Sequence, residues 1–122
     1  FCYINKLDNY CVITGIKIDR EVNLSDLLGK VSSLLRNIGV RYVELLVRAN
    51  RLNVIEKFLT AKFIPSGYFP AFQLEENVRY DYVVFSKSFE ILDFNNINPK
   101  GMNKEYLKEY IRLWEEIYLN KL

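Results

Sequence analysis

The stretch from Val40 to Phe85 carries the clearest changes of hydrophobic period in the chain. Val40 to Val47 alternates loosely and is rich in β-branched and aromatic residues, with Glu44 as the one acidic interruption, which is the pattern of a strand. Leu52, Ile55 and Leu59 then recur at helical spacing, with Val54 and Phe58 on the flank and Asn50 where a cap belongs. That helix must stop before Pro65, and Ser66-Gly67 has turn chemistry. Tyr68 to Leu74 and Tyr80 to Ser86 return to strand character, as a hairpin around Glu75 to Arg79. Pro70 has no backbone donor, so it points to an edge position, a bulge or a gap in pairing. Asp81 interrupts the returning strand and is expected to face solvent.

The flanks extend the same alternation of periods. Residues 1 to 18 predict an extended segment, a turn at Leu7-Asp8-Asn9, and a strand over Tyr10 to Ile18 that is apolar on both faces, as internal strands are. Gly15 within it marks a bulge or a close approach to the backbone. Asn23 is a good N-cap with Asp26 three residues on, and Leu24, Leu27, Leu28, Val31, Leu34, Leu35 and Ile38 follow as an apolar stripe. Gly39 supplies the stop. Strand, helix and strand joined by short loops predict a parallel, right-handed βαβ unit with Leu28 and Leu35 buried against the sheet.

Residues 87 to 101 lack a clean period and read as an ordered arm over the core. Asn103 then precedes a last helix with Tyr106, Leu107, Tyr110, Ile111, Trp114, Ile117 and Tyr118 on one side. Lys108, Arg112, Glu115, Glu116 and Lys121 occupy the other. The resulting order, β-β-α-β-α-β-β-α, predicts an α+β fold, a mixed sheet with packed helices. It is expected to form one domain over residues 1–122, with arm and C-terminal helix at 87–122.

Composition narrows the chemistry. A chain of 122 residues, half of them hydrophobic and 26% charged, is long enough for one domain with a real core. Its 17 basic and 15 acidic residues are interspersed, and the net charge of +2 gives no footprint for nucleic acid. No apolar run approaches the ~20 residues that span a bilayer, so no membrane role is expected. Cys2 and Cys11 read as free thiols rather than a disulfide framework, which implies a cytoplasmic location. The chain contains no histidine, which removes Ser–His–Asp and Cys–His catalysis and any His-based zinc site. Two cysteines are too few for a metal centre, and none is expected. Acid–base work would fall to Tyr, Cys, Lys or carboxylates. Because the chain starts at Phe1 without an initiator methionine, it is expected to be a processed product or a piece of something longer.

The strand–helix–strand–helix–hairpin order over about residues 10 to 86, with IPSGYFPAF at Ile64 to Phe72 opening the hairpin, resembles the C-terminal half of a GNAT-type N-acetyltransferase domain. The resemblance implies acetyl-CoA as cofactor. Its pantetheine arm would lie along the Tyr10–Ile18 strand, where Gly15 is the candidate contact, and Arg20 is the candidate phosphate ligand. A bulge and a surface arginine are the plain structural alternatives. Glu44 and Asp81 are the candidate carboxylate bases, each of which also reads as an ordinary strand residue. The family's pyrophosphate loop is basic and glycine-containing, whereas Ile18 to Gly29 reads IDREVNLSDLLG, with Asp19, Glu21 and Asp26 around Arg20 and its glycine late. The tyrosine that protonates the leaving thiolate falls on Phe58, which has no proton to give.

The resemblance therefore implies a GNAT-like domain catalytically incomplete on its own, either part of a longer acetyltransferase or a binding and assembly domain. The isolated chain would then hold no acetyl-CoA firmly. Two alternatives remain: an active acetyl-CoA-dependent N-acetyltransferase working by substrate positioning, and an unrelated α+β structural subunit. The aromatic hairpin and last helix carry more apolar surface than one small sheet covers. A homodimer or a missing N-terminal domain is the expected partner.

Overall fold

In a computed structural model residues 1–119 are described, so Lys121, assigned above to the polar side of the last helix, lies outside them. The element order is β1 (Cys2–Asn5), β2 (Tyr10–Ile13), α1 (Leu24–Asn37), β3 (Tyr42–Arg48), α2 (Leu52–Thr60), β4 (Ile64–Glu75), β5 (Val78–Ser88) and α3 (Met102–Trp114), which continues as a π-helical turn over Glu115–Leu119. This is the predicted β-β-α-β-α-β-β-α order. The chain divides into two compact units, Phe1–Glu90 and Ile91–Leu122.

The first unit is a five-stranded mixed sheet in the order β1-β2-β3-β5-β4. Strands β2 and β3 pair in parallel through the α1 crossover, from Tyr10 opposite Tyr42 to Ile13 opposite Leu45; the other pairs are antiparallel. One face of the sheet is formed by Cys11, Ile13, Val43, Leu45, Val47 and Phe85, all buried in one cluster with Leu24, Leu28 and Leu35 of α1 and Phe58 of α2. Strict alternation along β3 explains this segregation, because residues two apart share a face.

Asn23 caps α1 as predicted, its side-chain oxygen accepting from the backbone N–H of Ser25 and of Asp26. The apolar stripe of α1 is narrower than its sequence. Leu28 and Leu35 are buried, but Leu34 and Ile38 are 66% and 68% exposed. Each residue of a helix turns about 100°, so Leu34 lies a full step off the line through Leu35. Ser32 takes an inward position instead, its hydroxyl donating to the Leu28 carbonyl at 2.7 Å.

Several local expectations are corrected. The β2 ladder ends at Ile13, so Gly15 follows the strand rather than interrupting it. Arg51, not Asn50, occupies the N-cap of α2, without a side-chain cap bond. The buried position of α2 is Phe58, while Leu52 is 69% exposed in the first turn. Ser66 and Gly67 belong to β4, where pairing with β5 begins at Ile64. The hairpin turn is the two-residue Glu76-Asn77, both at positive φ (48° and 65°), as a type I′ turn requires, and shorter than the predicted loop. Pro70 lies in edge strand β4, inside a break in register between Phe69 and Gln73, where no ladder bond is required of it. Gly101, at φ 63°, precedes α3, and Asn103 is inside the helix.

In the second unit, Phe94 meets Tyr110 and Trp114 edge-on at 6.2 and 5.5 Å between ring centroids, and Trp114 lies 6.1 Å from Tyr118. Arg112 pairs with Glu109 and Glu116 on the charged side of the helix.

Candidate functional site

The site follows from how β2 and β3 part. Beyond the Ile13–Leu45 pair, β3 continues to Arg48 with its hydrogen bonds directed to β5. Residues 14–18 have no partner in β3, and the Thr14 N–H continues toward the β1 side, bonding the Phe1 carbonyl at 2.9 Å. Gly15 offers its carbonyl to the Phe1 amino group, also at 2.9 Å. A cleft of about 350 Å³ opens between the separated strands. Ile13, Ile16, Ile18, Leu45 and Val47 supply apolar wall, and Phe58 of α2 contributes its ring. Parallel strands that stop pairing leave backbone donors and acceptors free beside an apolar slot, a good receptor for an extended amide-bearing chain.

Charge gathers among Arg48, Arg51, Glu75 and Tyr82, which also line the cleft. Arg48 forms an ion pair with Glu75 through one terminal nitrogen, and the Tyr82 hydroxyl donates to the other Glu75 oxygen at 2.9 Å. The Arg48 guanidinium stacks over Tyr80, 4.0 Å from the ring centroid. Register explains the cluster: Arg48 faces Tyr82 directly across the β3–β5 ladder. The Arg48 Nε is buried and has no hydrogen-bond partner among the described residues. Arg51 lies one turn further on, its backbone N–H bonded to the Arg48 carbonyl at 3.1 Å.

Of the four residues singled out in the sequence, only Gly15 lines this cleft. A Cβ there would meet the Phe1 ring at 3.6 Å, an ordinary contact, so nothing in the space requires glycine. Arg20 is exposed in the turn closed by Val22 N–H on the Asp19 carbonyl. Glu44 is half-buried on β3, between Val12 and Ser86 in register, and accepts from the Tyr42 hydroxyl at 3.2 Å. Asp81 braces the break in β4: it accepts from the Ala71 N–H at 2.6 Å and from the Tyr68 hydroxyl. Those two bonds, the Ala71 one first, hold its carboxyl below the usual aspartate range, and the bond to Asp81 raises the Tyr68 phenol. Sequence reading missed Arg48, Arg51 and Glu75. The available signal was two arginines flanking the strand-to-helix junction in VRANR. Among the described residues no cluster of three or more His, Cys, Asp or Glu is arranged to hold a metal ion, and no helix is long and apolar enough to cross a membrane.

The entrance to α1 is closed on itself. Asn23 Oδ1 accepts from Ser25 N–H at 3.0 Å and Asp26 N–H at 3.3 Å, and the Leu27 N–H bonds the Asn23 carbonyl. Asp19, Glu21 and Asp26, close to it in sequence, are exposed.

This arrangement of splayed parallel strands, two helices and a closing hairpin matches solved acetyltransferases. A candidate phosphinothricin N-acetyltransferase superposes with a TM-score of 0.64 at 20% identity, over 73% of this chain and 59% of that one. The fold is GNAT-like. The N-terminal domain of ribosomal-protein-alanine acetyltransferase from Clostridium acetobutylicum matches at TM-score 0.58 and 19% identity, over 73% of this chain and 71% of that one. An acetyltransferase of Bacillus subtilis, solved in complex with CoA, matches at 0.61 and 10%, over 73% and 66% respectively. The chain thus spans roughly six to seven tenths of the length of these GNAT-like structures. At such identities the likeness is one of fold. No protein-family model matches the sequence, and no curated protein matches it.

Proposed function

We propose that this chain is the C-terminal half of a GNAT-type N-acyltransferase domain, with the thioester cleft retained and the phosphate anchor lost. It is catalytically incomplete alone, serving either a longer enzyme or an assembly. The splayed strands and their likeness to acetyltransferases favour this over an unrelated α+β subunit. The observation that carries the reading is the self-capped entrance of α1. A pyrophosphate at a helix N-terminus needs free backbone N–H groups and an approach without negative charge. Here Asn23 occupies two of those donors, and three exposed carboxylates lie within four residues of it in sequence. The cleft fits a pantetheine arm along residues 14–18, including Gly15, while its thioester end would lie toward Phe58, whose ring supplies no proton.

Calorimetry with acetyl-CoA tests this. The isolated chain is expected to bind weakly or not at all. A dissociation constant in the low micromolar range, roughly −7 to −8 kcal/mol, overturns the reading. One observation favours an active enzyme in that event: the Tyr82 phenol lines the cleft, and released from its hydrogen bond to Glu75 it would offer the acid that Phe58 lacks. Loss of turnover in Tyr82→Phe, with acetyl-CoA affinity unchanged, would then assign that role.

A further inference from the structure

We propose that the cleft recognises a carboxylate on its acceptor amine, through Arg48 and Arg51. The word acceptor rests on the acyltransfer reading above; the carboxylate site does not.

Arg48 is held in place before any ligand arrives. One terminal nitrogen is paired with Glu75, its guanidinium plane lies 4.0 Å over Tyr80, and Tyr82 fixes the far side of the same carboxylate. A guanidinium presents its donors in a rigid fork, so fixing one edge fixes the direction of the rest. Among its other donors, Nε–H is buried without a partner in the described residues. A buried unpaired donor on a charged group is costly, and the cost is removed by an acceptor oxygen entering beside it. Arg51 is exposed on the same cleft and forms no ion pair among the described residues. The lining therefore carries two guanidinium groups against the single carboxylate of Glu75. A small anion with planar oxygens matches that surplus better than a polyamine, which two arginines would repel.

The test is side-chain NMR of the Arg48 Nε–H resonance in the whole chain, without acyl-CoA, so that a failure of cofactor binding leaves it intact. The probes are glycine and L-glutamate, with glycinamide and inorganic phosphate as controls. A saturable shift with glycine and L-glutamate, absent with glycinamide and weaker with phosphate, is expected. Arg48→Lys lacks the reporting group, so its L-glutamate binding is followed by calorimetry, where it should be lost. Arg51→Gln, an exposed change that leaves the core untouched, should weaken it about tenfold and carries the test if the Arg48 variant does not fold. No shift with either amino acid, an equal shift with glycinamide, or an equal or stronger one with phosphate overturns the proposal.

Discussion

Phe58 meets Phe85 edge-on, with 5.4 Å between ring centroids and 78° between ring planes. The contact joins helix α2 to strand β5 and places a hydrocarbon at the position where the acetyltransferase resemblance calls for a phenol. Both rings are buried, Phe58 at 3% and Phe85 at 1% exposure. Phe58→Ala should cost about 3–5 kcal/mol in a two-state denaturant titration, because the cavity is sealed by the sheet on one side. A loss below about 1 kcal/mol would mean that the ring does not join helix and sheet.

The crossover helix should be equally sensitive at two positions and tolerant at a third. Leu28→Ala and Leu35→Ala are each expected to cost about 2–5 kcal/mol. Leu34→Ala, at an exposed site one residue away, should stay within about 0.5 kcal/mol. Equal losses at Leu34 and Leu35 would place the wrong face against the sheet.

Asp81 has a stability role with a defined pH sign. Its native carboxyl titrates below the ordinary aspartate range, so its contribution is complete above that range and is lost as pH falls through the native value. Asp81→Ala should speed amide exchange at Ala71 and lower the Tyr68 phenol titration toward its ordinary value, since the Asp81 bond is what raises it. An unchanged Tyr68 titration, followed by NMR, would refute the brace.

The two thiols should differ in reactivity. Cys2 is exposed and Cys11 is buried, and burial first, with Cys2 beside it second, pushes the Cys11 thiol up to about 11. Maleimide at pH 8 is expected to label Cys2 rapidly and Cys11 only after unfolding. Two fast labels in mass spectrometry would contradict this placement.

We propose that a partner covers the hairpin. Edge strand β4 carries exposed Tyr68, Phe69, Phe72 and Leu74, and among the described residues no strand pairs with its outer side. A homodimer, or a covalently preceding domain in a longer protein, would fit it. Light scattering of the isolated chain across a dilution series should show association that weakens with a Phe69→Ser, Phe72→Ser double change. A monodisperse monomer at every concentration removes the homodimer.

Much of the first unit was legible in local chemistry. Asn23 before an apolar stripe, Gly39 after it and the β-branched run through Val47 fix a strand–helix–strand unit, because caps and periods act over a few residues. Leu28 and Leu35 were legible as core for the same reason. The limits of β2, the inward turn of Phe58 and the true length of the hairpin were not, since each depends on which neighbour supplies hydrogen bonds or covers a ring. Nor was the cleft. Arg48, Glu75 and Tyr82 are separated by 27 and 7 positions in sequence, and only the β3–β5 register and the Glu76-Asn77 turn bring them to one place. Sequence alone determined which segments are helix and strand, through short-range sterics and hydrophobic period. The tertiary structure decided which polar groups meet, because a charge cluster is set by strand register, and register is a property of the assembled sheet.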